Sequence, residues 1–293
     1  MSTSVQDANS GNAGDLIKHS VNLQALATLL HHKPWSDGLH LYECHAGRGI
    51  YQPQSSKENN KENVQQLLSS PNLLLARHQW TVLEQLGIDH ADVPSGKWYA
   101  GSACLNATML SDGRHDTHFY EQDQEVSKDL ECSVHRLKAT ASIHCCDGEA
   151  AIAQICASFD SRSVIILDPF SISGSARKRN YACILKTTAC LASAPLLLFF
   201  YSWGKTHAGE ALKYRRRVET DHPIWALRNL ISANAIEILW YHERHYLMWV
   251  IVPSEIREQI QAELKVRVEE IRSTLFRDTG VDDEHRWIVR QLK

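Results

Sequence analysis

The sequence predicts an α/β protein built on a mostly parallel sheet, and three patterns carry that expectation. Short β-rich runs alternate with helical stretches, the last two β-rich runs lie almost side by side, and several runs end on an acid. Strands alternating with helices imply βαβ crossovers and a parallel sheet. Two runs parted by a few residues leave no room for a crossover and should pair as an antiparallel hairpin.

In chain order the candidate strands are LHLYEC (39–44), DTHFYE (116–121), ASIHCC (141–146), SVIILD (163–168) and PLLLFFYSW (195–203). The hairpin follows, from AIEILWY (235–241) and YLMWVIVP (246–253). Helical patterns EVSKDLECSVHRLKA, GEAAIAQICASF and RNYACILKTTACLAS fill the gaps between the earlier strands. Five parallel strands plus an antiparallel C-terminal hairpin is the pattern of a Rossmann-like class I methyltransferase sheet. A dinucleotide dehydrogenase would continue parallel.

One stretch breaks the alternation. From Pro53 to Lys97, polar PQSSKENNKEN gives way to VQQLLSSPNLLLARHQWTVLEQLG, apolar at helical spacing. The sequence therefore predicts an inserted helical subdomain over 53–97, within a single domain spanning 1–293. It leaves the carboxyl end of the first strand, which is the ligand edge of such sheets. Near the C-terminus, Ile256, Ile260, Leu264, Val268 and Ile271 form one apolar face of a helix, expected to pack on the sheet.

Composition narrows the class. The chain is 43% hydrophobic and 22% charged, ordinary for a globular protein. No stretch approaches the roughly 20 apolar residues that span a bilayer. The N-terminus carries no apolar signal region. Eight cysteines without a CxxC pair read as reduced, buried thiols, so a cytoplasmic location is expected. A net charge of −3 argues against a surface built for nucleic acid as a whole. Two local clusters stand out, Arg177, Lys178 and Arg179, then Arg215, Arg216 and Arg217. They are either solvated helix faces or phosphate contacts.

The strand ends carry the chemistry. After the first strand, Gly47 and Gly49 form a G-x-G loop, where missing side chains let backbone amides approach a ligand. The second strand ends at Glu121, where an acid accepts hydrogen bonds from ribose hydroxyls. The 72 positions from Gly49 to Glu121 exceed the usual interval of about 20, and the helical insertion accounts for the excess. The third strand leads to Asp147, which either caps the following helix or faces a ligand. The fourth ends at Asp168, and Pro169 stiffens the loop leaving the sheet. Carboxylates accept from ribose hydroxyls and from an adenine amine. Acids with only a short glycine loop suit S-adenosylmethionine, which has no pyrophosphate, better than NAD.

With those residues in place, the chain resembles the bacterial large-subunit ribosomal RNA adenine-N6 methyltransferases. NSGNAGDLIKHS (9–20) is similar to the family's HAGNHADVLKH segment, CHAGRGIY (44–51) to its THAGAGRY, and YAGSA (99–103) to its YPGSP. FYEQDQ and CCDGEAA occupy the places of the family's acidic strand ends. The resemblance implies that Lys18, His45, Gly47, Gly49, Ser102, Glu121, Asp147 and Gly148 contact the methyl donor or line its pocket. It implies a catalytic role for Asp168, Pro169 and Phe170. In the family signature Asp-Pro-Pro-Tyr, the acid and a backbone carbonyl hold the target amine and the aromatic stacks on a flipped base. This chain has Asp168-Pro169-Phe170-Ser171 instead, and Asn9 where the family has its first histidine.

The expected activity is S-adenosylmethionine-dependent methylation of a nucleic-acid amine, adenine N6 in ribosomal RNA first of all. The alternatives are a different acceptor, either a small molecule or a protein, or a cofactor-binding protein that has lost turnover. RNA is the expected partner, through the two basic clusters. The expectation includes no metal, no membrane and a monomer.

Overall fold

The computed structural model describes residues 10–53, 60–168, 196–205, 235–242, 244–275 and 287–291. The elements in chain order are α1 (Ala13–Leu29), β1 (His40–Glu43), β2 (Ile50–Tyr51), α2 (Asn60–Leu68), α3 (Leu74–Gln85) and β3 (Tyr99–Ala100). Then come α4 (Ser102–Met109), β4 (Asp116–Tyr120), α5 (Gln124–Arg136), β5 (Ser142–His144), α6 (Gly148–Ala157) and β6 (Ser163–Leu167). The chain continues through β7 (Leu196–Lys205), β8 (Ala235–His242), β9 (Arg244–Ile251), α7 (Ser254–Leu275) and β10 (Trp287–Gln291).

The main sheet has eight strands in the order β10-β8-β9-β7-β6-β1-β4-β5. Every pairing among β7, β6, β1, β4 and β5 is parallel, giving five parallel strands. β9 runs antiparallel to both β7 and β8. This is the order and direction of a Rossmann-like class I methyltransferase sheet, with β10 added antiparallel along β8. β6 reads SVIIL because a parallel strand is covered on both faces, and all five residues are buried.

Register sets the functional edge. In β1, Glu43 pairs with Phe119 of β4 on one side and with Ile166 of β6 on the other. Glu121 and Asp168 each follow one residue after their strand, so they flank the end of β1. The order of the sheet reverses here: β4 follows β1 on one side and β6 on the other, which is where ligands of open α/β sheets bind.

α1 is buried nearly all round, polar His19, Ser20, Asn22, Gln24 and Thr28 included, with 14 of its 17 residues buried. A helix so buried must be covered on two sides. It contacts β7 and β9 on one side and α7 on the other. At Gly14 a β-carbon would come within 2.4 Å of the Tyr246 ring, so glycine sets how close α1 lies to the sheet. The apolar stripe of α7 is buried as its periodicity predicts, but it packs chiefly on α1 rather than directly on the sheet. α1 already occupies that face.

Residues 60–97 contain α2, α3 and a short 3-10 turn at Val93–Ser95, and no strand. Val64, Leu67, Leu75, Val82 and Leu83 join the main core from this segment. β2 and β3 form a two-stranded clip on either side of the excursion. The thiols differ from expectation: Cys44 and Cys104 are buried, whereas Cys132, Cys145 and Cys146 are exposed. Cys132 lies on α5, and the Cys145–Cys146 pair follows β5, the last strand at its edge of the sheet. No described helix is long and apolar enough to cross a membrane.

Candidate functional site

The loop after β1 is pinned across the ends of its two neighbours. Ala46 donates its backbone N–H to the Tyr120 carbonyl at 3.0 Å. Gly47 donates to Glu121 Oε2 at 3.1 Å, and Asp123 donates to Glu121 Oε1 at 2.9 Å. Both carboxylate oxygens of Glu121 are therefore held by backbone amides, which fixes the side chain at the sheet edge. Carboxylate oxygens carry further lone pairs, so Glu121 retains acceptor capacity. Gly47 has φ +67°, a left-handed conformation that glycine adopts at no steric cost. Gly49, at φ +87°, is fixed by sterics as well: a β-carbon there would lie 2.9 Å from Cys104 Sγ. Its carbonyl accepts from Gly101 N–H at 2.7 Å.

His45 braces two elements. Its Nδ1 accepts the backbone N–H of Asp168 at 3.3 Å, and its Nε2 stands 3.5 Å from Glu149 Oε1. Asp147 caps α6 by accepting the Glu149 N–H at 3.0 Å. Beside it, Gly148 meets β1 so closely that a β-carbon would fall 2.1 Å from the Cys44 carbonyl oxygen. The close approach of the α6 N-terminus to the end of β1 is what requires glycine at 148.

A second cluster lies between α1 and the strand ends. The Lys18 ammonium pairs with Asp168 and, at 3.1 Å, with Asp15. Burial works against the charge on Lys18, but the carboxylates of Asp168 and Asp15 overturn that and hold it above the ordinary lysine range. Burial also raises the Asp15 carboxyl, against the pull of Lys18. Glu43, 1% exposed, accepts hydrogen bonds from Ser102 Oγ and, at 2.9 Å, from Asn106 Nδ2. Burial pushes the Glu43 carboxyl up to about 7, although both hydrogen bonds and Lys18 pull it back. Asn106 in turn accepts from Asn22 at 2.8 Å. His19 and Tyr99 share a 2.6 Å hydrogen bond, and burial holds the imidazole well below its ordinary value. Lys18, His19, Asn22, Ser102, Asp168 and Met248 line a small cavity at this point.

The residues read from the sequence thus fall into two adjoining groups. Gly47 meets Glu121, and His45 meets the backbone of Asp168, around the glycine loop. Lys18 meets Asp168 at the α1 side, and Ser102 is turned onto Glu43. Gly49, Asp147 and Gly148 shape the backbone between them. Pro169, Phe170 and both basic clusters lie outside the described residues. Three members were missed from sequence: Asp15, Glu43 and Asn106. A signal for Glu43 was present, since an acid inside an otherwise apolar strand needs buried partners. Ser102 and Asn106, four apart on α4, supply them. Among the described residues, no group of three or more potential ligands is placed to hold a metal ion.

No family model and no curated protein matches the chain. Among solved structures, a Legionella pneumophila protein of family model DUF519 superposes with a TM-score of 0.73 at 18% identity. The match covers 97% of this chain and 99% of that one, and the likeness is one of fold. A Listeria monocytogenes protein, described provisionally as a class I S-adenosylmethionine-dependent methyltransferase, aligns at a TM-score of 0.42 and 9% identity. That alignment spans 90% of this chain and 73% of the other, a likeness too slight to bear on activity.

Proposed function

We propose that the protein is an S-adenosylmethionine-dependent N-methyltransferase acting on adenine N6 of ribosomal RNA. The observation that carries the reading is the arrangement at the switch point of the sheet. There Glu121 is fixed by two backbone amides across the glycine loop, and Asp168 stands at the end of β6 with Lys18 beside it. The strand order of the sheet supports a methyltransferase over a dehydrogenase.

The residues present fit the donor. Glu121 offers acceptor lone pairs to ribose hydroxyls, and the loop of Gly47 and Gly49 offers a backbone surface without side chains. Asp147, Gly148 and Lys18 would complete the surface that holds the donor. Bound there, the donor supplies an electrophilic methyl group. The protein's part is orientation and electrostatics, with no strong base required. Asp168 accepts an N–H of the target amine, so the nitrogen lone pair leaves conjugation with the ring and faces the methyl. Phe170 stacks on the base, and the two basic clusters take RNA phosphates. The chain acts as one domain and as a monomer in the cytoplasm, with the helical excursion over 53–97 beside the mouth of the site.

Calorimetry with S-adenosylmethionine and S-adenosylhomocysteine tests the donor site, and no binding at millimolar ligand would end the methyltransferase reading. A mass-spectrometric survey of modified ribosomal nucleosides in a deletion strain tests the acceptor. Loss of one N6-methyladenine is the expected result. An unchanged profile would redirect the activity to another acceptor.

A further inference from the structure

Asp168 has two claims on it. It is bound to the Lys18 ammonium, and in the proposed reaction the same carboxylate must accept an N–H of the acceptor amine. Turning to the acceptor weakens its hold on a cation whose side chain is only 11% exposed. A buried ion deprived of its counter-charge is strongly destabilising. One helical turn earlier on α1, Asp15 lies 3.1 Å from the same ammonium through Oδ1. Its other oxygen accepts the backbone N–H of Gly11 at 3.0 Å, and Asn12 caps the helix by accepting the Asp15 N–H. Asp15 is thus fixed on both sides, independently of Asp168.

We infer that Asp15 is a positioning residue: it retains the Lys18 ammonium while Asp168 turns to the acceptor amine. The inference rests on the amine-methylation reading. Lys18 then acts as a cation shared by two anions, and only one of them has to move. Asp15 never touches the acceptor; it acts through Lys18. It also ties that pair to the backbone at Gly11, where the described chain enters α1.

Two experiments on the full chain decide it. In the first, Asp15→Asn should lower kcat by about tenfold or more while S-adenosylmethionine affinity stays within about threefold of wild type. In a Lys18→Met background the same change should cost less than about twofold, because the residue acts through Lys18. Equal losses in both backgrounds would make Asp15 a structural brace and overturn the inference. The second readout needs no acceptor: acetic anhydride labelling of Lys18, followed by mass spectrometry. In Asp168→Asn, Lys18 should stay within about threefold of its wild-type reactivity, because Asp15 still holds it charged. Adding Asp15→Asn should raise that reactivity about tenfold or more. A tenfold rise in Asp168→Asn alone overturns the inference, and that single variant decides if the double variant does not fold. Labelling as expected, with no methyl transfer to RNA, would overturn the functional reading and leave standing only that Asp15 retains the Lys18 ammonium when Asp168 lets it go.

Discussion

Glu43 is buried at the end of β1 with a hydroxyl and a carboxamide as its direct partners, so its charge state follows its surroundings. Burial raises it from 4.5 to about 7, which means the folded chain binds this proton more tightly than the unfolded chain does. The stability contributed by the protonated carboxyl is complete below pH 4.5, falls as the pH rises, and is gone above about 7. A shift of that size corresponds to something on the order of 3 kcal/mol. Glu43→Gln imitates the protonated acid, donating to Ser102 and accepting from Asn106. Melting temperature measured across this window should slope downward more steeply in wild type than in Glu43→Gln. Parallel curves would show that Glu43 does not titrate there. Glu121 is held by two backbone amides at the sheet edge. Glu121→Ala should weaken S-adenosylmethionine by about 1–3 kcal/mol in calorimetry, the scale of hydrogen bonds to a charged acceptor. Unchanged affinity would remove Glu121 from the donor site.

α5 is capped by Asp123, whose side chain accepts the Glu125 and Val126 N–H groups while its backbone N–H serves Glu121. The two tasks separate cleanly in a mutant. Asp123→Ala should lower stability by about 1 kcal/mol through the lost cap, with donor affinity near wild type. A large loss of affinity would mean that the cap also shapes the loop. α6 is less forgiving, because its first residue abuts the end of β1. Gly148→Ala forces a backbone shift that should cost about 1–3 kcal/mol or more, seen as a lower melting temperature, and should weaken the donor as well. Much of this layout was legible beforehand. Buried parallel strands announce themselves as β-branched runs, and Asp168 follows such a run directly; Glu121 directly follows the mixed strand β4, and Asp147 lies three residues past the end of the partly exposed β5. The clip of β2 and β3 was not legible, since strands of two residues have no period to detect. β10 escaped because WIVRQ is a short mixed segment whose pairing with β8 is set by tertiary contact. Glu43 signals a buried acid within the run 39–44, but its partners Ser102 and Asn106 lie some 60 residues on, and only the fold brings them to it. Asp15 carries no signal of its own in the sequence, because only the fold brings Asp168 to the Lys18 ammonium that Asp15 also holds.

At the scale of the molecule, the sheet separates its chemistry from its far edge. The candidate site spans β6, β1 and β4, while β10 covers β8 four strands away from β6. Ending the chain at residue 286 removes β10 and bares the backbone of β8, a template for pairing between chains. Such a protein should aggregate faster in light scattering, yet the soluble fraction should bind S-adenosylmethionine within about threefold of wild type. A complete loss of binding would show that the edge supports the site. The small clip has a consequence of another kind. The helical excursion departs after β2 and returns at β3, whose residues pair with one another, and the Gly49–Gly101 hydrogen bond closes the neck. Chain added in the polar run between Pro53 and Asn60 extends an excursion whose two ends are already tied at this neck. Such an addition should leave the glycine turn where it was. Here, beside the constrained turn of Gly47 and Gly49, is a place where the sequence can grow.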